Sequence, residues 1–387
     1  MTMPSPSSLV PIVSSSIPAV AGESGPVLRL KCRGGGEELM GIAALNLVLS
    51  ILTLGFYRFW GRTRLRRYLW SRTFLDDEPF EYAGTGLELF LGFLRLCFLF
   101  FLCYCALLGA AFVFDFAESV PGFGAVYTAL IYVAGFVLYP LAFYFSWRYR
   151  LSRTTWRGIR ASLRGSAFVY FLRWVGWMLA VVFSFGLAIP LRNIALKHYL
   201  LNHCMLGDRT VTFDGNGRDL FGAFLLPWSI ATGLGIAVTV LIASGMDEVS
   251  VDAAMDAADR IEVYFTAFFP LLLAYAGVWL CVFLPLYLLL YKKKEMQYIL
   301  DRLSWGDLRF SGTFRFWPVV RFFVMNFLLV TLTMGVGYPY TVLRSIRFLA
   351  ETVRISGFID VDALCQNQAR KPTFGEGLAA MFAPDGL

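Results

Sequence analysis

The chain has 387 residues, 58% of them hydrophobic and 16% charged. Soluble domains carry about 25% charged residues, so an ordinary water-facing surface is excluded and a polytopic membrane protein is indicated. The 34 Lys and Arg against 27 Asp and Glu leave a formal charge of +7. In such a chain this modest excess points to membrane orientation and lipid contact, not to nucleic acid.

Two His in the whole chain and seven Cys without a C-x-x-C pair give no metal site, and no cofactor is expected. The cysteines read as reduced. No Ser-His-Asp, Cys-His or paired-carboxylate pattern stands out, so an enzyme is not expected.

Taken in chain order, residues 1–26 are rich in Ser and Pro and read as a disordered tail. Seven charge-free runs follow, at 39–57, 96–114, 119–147, 174–191, 220–246, 264–291 and 322–343. The segments 115–118 and 247–262 are acidic and read as external; the other connections are basic and read as cytoplasmic. Residues 366–387 read as a loose tail.

The first, fourth and seventh runs have basic residues on both sides. Each carries a late glycine, Gly55, Gly186 or Gly335, that can supply the backbone angles of a turn. The charge pattern favours helical hairpins or half-helices that re-enter (segments 39–60, 168–191 and 317–340) over three more crossings, and both readings stay open. The expected fold class is therefore an all-α polytopic membrane protein with short β segments at the cytoplasmic face. It would have two internal repeats and four clear transmembrane helices, plus three shorter re-entrant or spanning apolar segments.

Gly55–Leu94 aligns with Gly186–Leu225 without a gap at an offset of 131, with twelve identities in 40 positions. The membrane domain then spans 27–365, with repeats at about 46–165 and 177–315 and partial copies at 27–45 and 316–365. Within the unit, Pro79–Tyr82 and Val211–Phe213 alternate like short strands and lead into Gly84-Thr85-Gly86 and Gly215-Asn216-Gly217. The second glycine opens a helix, with Glu88 or Asp219 near its N-terminus where the dipole favours a carboxylate. A phosphate-cradling loop is the weaker reading, because no third glycine and no Gly-Lys-Ser/Thr follows.

The densest signal is the basic aromatic helix with Arg58, Arg62, Arg64, Arg66 and Arg67 among Trp60, Tyr68 and Trp70. Such a helix suits an anionic interface, either as ordinary positive-inside anchoring or as recognition of a lipid or anion. Arg95, Arg173 and Arg321 each lie two or three turns into an apolar helix. They either snorkel to the interface or line an anion-attracting vestibule.

The stretch Leu52–Trp70 with Phe80–Phe90, and Trp156-Arg157-Gly158-Ile159-Arg160 later on, resembles the YjgN family of bacterial inner-membrane proteins. The resemblance implies a multi-pass protein of the bacterial inner membrane, here with cytoplasmic termini, and supplies no established activity. Two functions are expected: a transporter- or channel-like protein for an anionic small molecule or lipid, or a non-transporting, membrane-organising protein that binds anionic lipid. Membrane lipids are the expected partners, and the oligomeric state is not readable.

Overall fold

A computed structural model describes residues 27–113, 123–244 and 257–357. The acidic segment 115–118, most of 247–262 and both expected tails lie outside them.

Eleven strands form a single antiparallel sheet: β1 (Val27–Leu28), β2 (Leu30–Cys32), β3 (Thr73–Leu75), β4 (Glu78–Tyr82), β5 (Thr154–Trp156), β6 (Ile159–Leu163), β7 (Cys204–Leu206), β8 (Arg209–Phe213), β9 (Leu303–Trp305), β10 (Leu308–Gly312) and β11 (Val353–Ser356). Their order is β1-β11-β10-β9-β8-β7-β6-β5-β4-β3-β2. The two outermost strands are separated in the chain by Arg29 alone, so the sheet closes on itself as a ring. Closure removes the exposed edges that a sheet of such short strands would otherwise present.

Four two-residue hairpins build the ring. Asp76-Asp77 and Arg157-Gly158 both have positive φ at each central residue, the type I′ geometry that matches strand twist. Gly207 and Gly306 supply positive φ at the first central position of the other two. Between hairpins the partners are distant in sequence, as in Phe80 opposite Trp156 and Thr212 opposite Ser304. The ring interior is filled by Leu75, Trp156, Ile159, Trp305, Leu308 and Ile355.

One helix leaves the ring after each second strand and another returns before the next hairpin. The pairs are α1 (Gly36–Leu52) with α2 (Arg58–Ser71), α3 (Gly86–Val113) with α4 (Phe123–Ser152), and α5 (Ala167–Phe183) with α6 (Ile189–Asn202). Next comes α7, a 3-10 turn Gly217–Leu220 running into Phe221–Ser244. Its partner α8 runs from Ala257–Val278 through π-helical turns at Trp279–Phe283 and Tyr287–Lys292 to Lys293–Asp301. The last pair is α9 (Phe316–Leu332) with α10 (Tyr338–Thr352).

The all-α expectation is therefore corrected: a closed sheet organises the helices. Nor are four clear transmembrane helices found among the described residues. Among the described residues, two helices are long and apolar enough to cross a membrane, Gly217–Ser244 and Phe268–Asp301. The sequence misled because strands of two to five residues leave almost no periodicity, and because a charge-free run records composition, not the helix it becomes.

The runs around Gly55, Gly186 and Gly335 are helical hairpins that leave the ring and come back to it. Each tip repeats one turn, with φ near +50° at Leu54, Phe185 and Met334 and +90°, +90° and +89° at the glycines. Gly55 N–H reaches Ser50 O at 2.6 Å, Gly186 N–H reaches Val181 O at 2.8 Å and Gly335 N–H reaches Val330 O at 2.8 Å, the Schellman closure of a helix end. The hydroxyls of Thr53, Ser184 and Thr333 then accept from the N–H groups of Tyr57, Ala188 and Gly337 at 2.9, 2.9 and 2.8 Å. The turns thus satisfy much of their backbone internally, while their apolar crowns point outward: Leu54 is 90% exposed, Phe185 85% and Met334 95%.

At the ring, a tyrosine five residues before the hairpin ties the returning helix to the start of the outgoing one. Tyr68 Oη accepts from Gly35 N–H at 2.9 Å, Tyr199 Oη from Ser166 N–H at 2.8 Å and Tyr298 Oη from Asn216 N–H at 2.7 Å. Tyr149 holds the equivalent place in the second pair, with Glu88 Oε2 at 3.2 Å. Phe348 holds it in the fifth, where it stacks on Phe322 instead.

Candidate functional site

The basic helix α2 packs against α1, α3 and β4, and its Leu69 joins Leu39 of α1 and Val342, Leu343 and Ile346 of α10 in one core cluster. Its arginines are consequently sorted by helical face. Arg67 donates to Gly84 O at 2.8 Å and so braces the G-x-G turn. Arg64 is exposed. Arg58, Arg62 and Arg66 line a cleft of about 470 Å³ with Arg150 from α4, and Leu47, Val336 and Val342 form part of its apolar wall.

Arg66 is the informative member. It is 8% exposed, and its described partner is Tyr82, whose hydroxyl lies 3.4 Å from the guanidinium. No carboxylate lies within ion-pair distance of it among the described residues. The second copy of the repeat has a paired cation at this position. Lys197, 131 residues on, is 2.9 Å from Glu295 Oε1, and Lys292 is 2.7 Å from the other oxygen of the same fully buried carboxylate. Glu295 stands three residues before Tyr298, and the residue three before Tyr149 is Ser146. Ser146 is fully buried, and its Oγ has no hydrogen-bond partner among the described residues. The first copy thus has the cation without the anion. Depriving a buried ion pair of one member costs about 3–5 kcal/mol, and a bound anion would recover that cost.

The other expected positions are dispersed. Arg173 lies over the ring of Tyr199, 4.9 Å from its centroid. Arg95 is exposed on α3. Arg321 lines a separate groove between α9 and α10. The three stand on different helices, α5, α3 and α9.

The G-x-G glycines serve packing. A Cβ on Gly86 would stand 2.8 Å from the Trp60 Cα, and one on Gly217 would stand 2.6 Å from the Leu191 Cα. Each lets an outgoing helix cross the backbone of the preceding returning helix. The preceding glycines are also crowded: a Cβ on Gly84 would meet the Tyr82 ring and one on Gly215 the Phe213 ring. Glu88 and Asp219 sit in the first turn of their helices and pair with Arg153 at 3.1 Å and Arg302 at 3.4 Å. The sequence did not single out Ser146, Arg150, Lys197 or Glu295. The available signal was Arg66 aligned with Lys197, a cation kept where neighbouring arginines are lost.

A closed strand ring carrying apolar hairpins with exposed tips defines a membrane protein. The family described as "Bacterial protein of unknown function (DUF898)" matches residues 27–381, and the chain belongs to it. Among curated proteins it is similar to "Inner membrane protein YjgN" of Escherichia coli K12, 26% identical over 154 residues, 40% of this chain and 35% of that protein. The protein of that name from Salmonella typhimurium is 36% identical over 61 residues, 16% of this chain and 15% of that protein. The chain thus spans about a third or less of the curated relatives it matches. These names support a location in the inner membrane. No solved structure matches the chain significantly.

Proposed function

We propose that this protein binds an anionic amphiphile, a lipid with a phosphate or carboxylate headgroup, in the cleft of Arg66, and that it is a multi-pass membrane protein of the lipid-binding, membrane-organising kind. The observation that carries the reading is the buried Arg66 guanidinium without a carboxylate, set beside the paired Lys197 of the second copy. The apolar wall of the cleft suits an acyl chain, and Arg58, Arg62 and Arg150 raise the local positive potential.

The three short hairpins enter the membrane and return, with the strand ring and the termini on the cytoplasmic side. Their internally bonded turns and exposed apolar crowns favour this arrangement, because irregular backbone at membrane depth has to be satisfied without bulk water. Transport along the ring axis is the less favoured reading, because the interior is occupied by Trp156, Trp305 and their neighbours.

The test is thermal stability of the detergent-purified protein with added phosphatidylglycerol or phosphatidylcholine. The expected result is stabilisation by phosphatidylglycerol alone, reduced at least tenfold in apparent affinity in Arg66→Gln. Equal responses to both lipids, or an unchanged response in a folded Arg66→Gln, would overturn the proposal.

A further inference from the structure

Among the five described helix pairs, the fifth alone lacks the latch tyrosine, and like the third, where Val169 and His203 stand, it lacks the acid–arginine pair of the rest. Phe348 replaces the latch tyrosine, Pro318 stands where α1, α3 and α7 carry Glu38, Glu88 and Asp219, and Thr352 stands where Arg72, Arg153 and Arg302 meet those acids. Between α9 and α10 there is instead a groove of about 1300 Å³.

Arg315, Arg321, Arg344 and Arg354 line this groove, and none of their guanidinium groups has a hydrogen bond or ion pair among the described residues. Arg347 also lines it, and it donates to the Gly34 carbonyl. Glu351 is the single acid of the lining. The charge is graded along the helices. Arg315 and Arg354 sit at the ring, and Arg321 and Arg344 lie within roughly 12 Å of it at 1.5 Å rise per residue. Beyond them, toward the tip, the lining is Met325, Leu328, Leu329 and Leu332, with Tyr340 from α10.

We infer that this groove is a second lipid site, distinct from the Arg66 cleft, that takes one anionic phospholipid. The phosphate lies among the four arginines and an acyl chain lies along the apolar part toward Leu332. Guanidinium groups offer forked donors that match phosphate oxygens, and these four have no side-chain partner among the described residues. The inference shares the membrane placement of the proposed function, but none of its binding residues.

Native mass spectrometry in mixed micelles of phosphatidylglycerol and phosphatidylcholine tests it. The quadruple variant Arg315→Gln, Arg321→Gln, Arg344→Gln, Arg354→Gln should retain one phosphatidylglycerol fewer per chain. Arg66→Gln should keep that lipid even if the cleft proposal fails. Leu329→Trp leaves every arginine in place and fills the apolar part, and should lose the same lipid; the pair Arg321→Gln, Arg344→Gln serves if the quadruple variant does not fold. An unchanged count in these variants, or equal retention of phosphatidylcholine, overturns the site. Displacement by glycerol 3-phosphate at millimolar concentration would show a headgroup-only site and overturn the phospholipid assignment. A rise in bound lipid on removing residues 358–387 would name that segment as occupant and do the same.

Discussion

Tyr298 Oη lies 2.6 Å from Asp219 Oδ2, so the last turn of α8 is bonded to the first turn of α7 at the ring. The same hydroxyl takes the Asn216 N–H, one of the donors that a helix start leaves without an intrahelical partner. Tyr298→Phe leaves both groups short of a partner. It should cost about 1–3 kcal/mol, read as a lowered unfolding midpoint in detergent. Tyr199→Phe should behave alike. Phe348→Leu should cost less in hydrogen bonding, since no hydroxyl is lost.

Gly217→Ala and Gly86→Ala press a methyl group against a neighbouring helix backbone, at 2.6 Å from Leu191 Cα and 2.8 Å from Trp60 Cα. Backbone cannot swing away as a side chain can, so each should destabilise by about 1–3 kcal/mol. Gly222→Ala, with open space around it, should be neutral or mildly stabilising by helix propensity. Equal effects at all three positions in thermal unfolding would contradict the close-crossing account.

At the β3–β4 turn, Lys31 lies 2.8 Å and Arg33 2.8 Å from Asp77. The Lys31 hydrogen bond, with the charges of Lys31 and Arg33, holds the Asp77 carboxyl below its ordinary value of 3.8. A carboxyl lowered in the folded state contributes stability above its unfolded value, and the contribution is lost as pH falls through the folded one. Asp77→Asn should therefore be less stable than the native chain at pH 7, with the difference starting to shrink only below about pH 4 and lost once the folded carboxyl is protonated. A difference that does not shrink as pH is lowered from 7 into the acid range would contradict the assignment.

Thiol labelling tests the hairpins. The native Cys204 is a poor reporter: it is buried, and that burial pushes its thiol up to about 12. Asp208→Cys, in the exposed β7–β8 turn, should react with an impermeant maleimide only after the cells are opened. Leu54→Cys should resist it before and after opening. Labelling of Leu54→Cys from outside intact cells would show a crossing and overturn the re-entrant arrangement.

Much of this architecture could be read locally. Gly55, Gly186 and Gly335 mark turns because each follows an apolar run that ends between basic residues. Pro79–Tyr82 and Val211–Phe213 alternate, and they lie in β4 and β8. What stayed hidden depends on distant partners. The ring needs Phe80 opposite Trp156, and Val27 opposite Ser356, pairings that no local pattern encodes. The latch was half visible: Tyr68 and Tyr199 align at the offset of 131, but Tyr149 and Tyr298 lie beyond the aligned stretch. The Arg66 site was invisible for a related reason. A dense basic helix shows many cations, and only the fold shows which of them lacks the carboxylate its copy possesses.

Restoring that carboxylate is the most direct measurement of the central claim. Ser146→Glu places an acid where the second copy has Glu295. The account predicts a higher unfolding temperature without lipid, loss of the phosphatidylglycerol-dependent shift, and reversal of both effects when Arg66→Gln is added. A folded Ser146→Glu protein that keeps the native lipid response would contradict it.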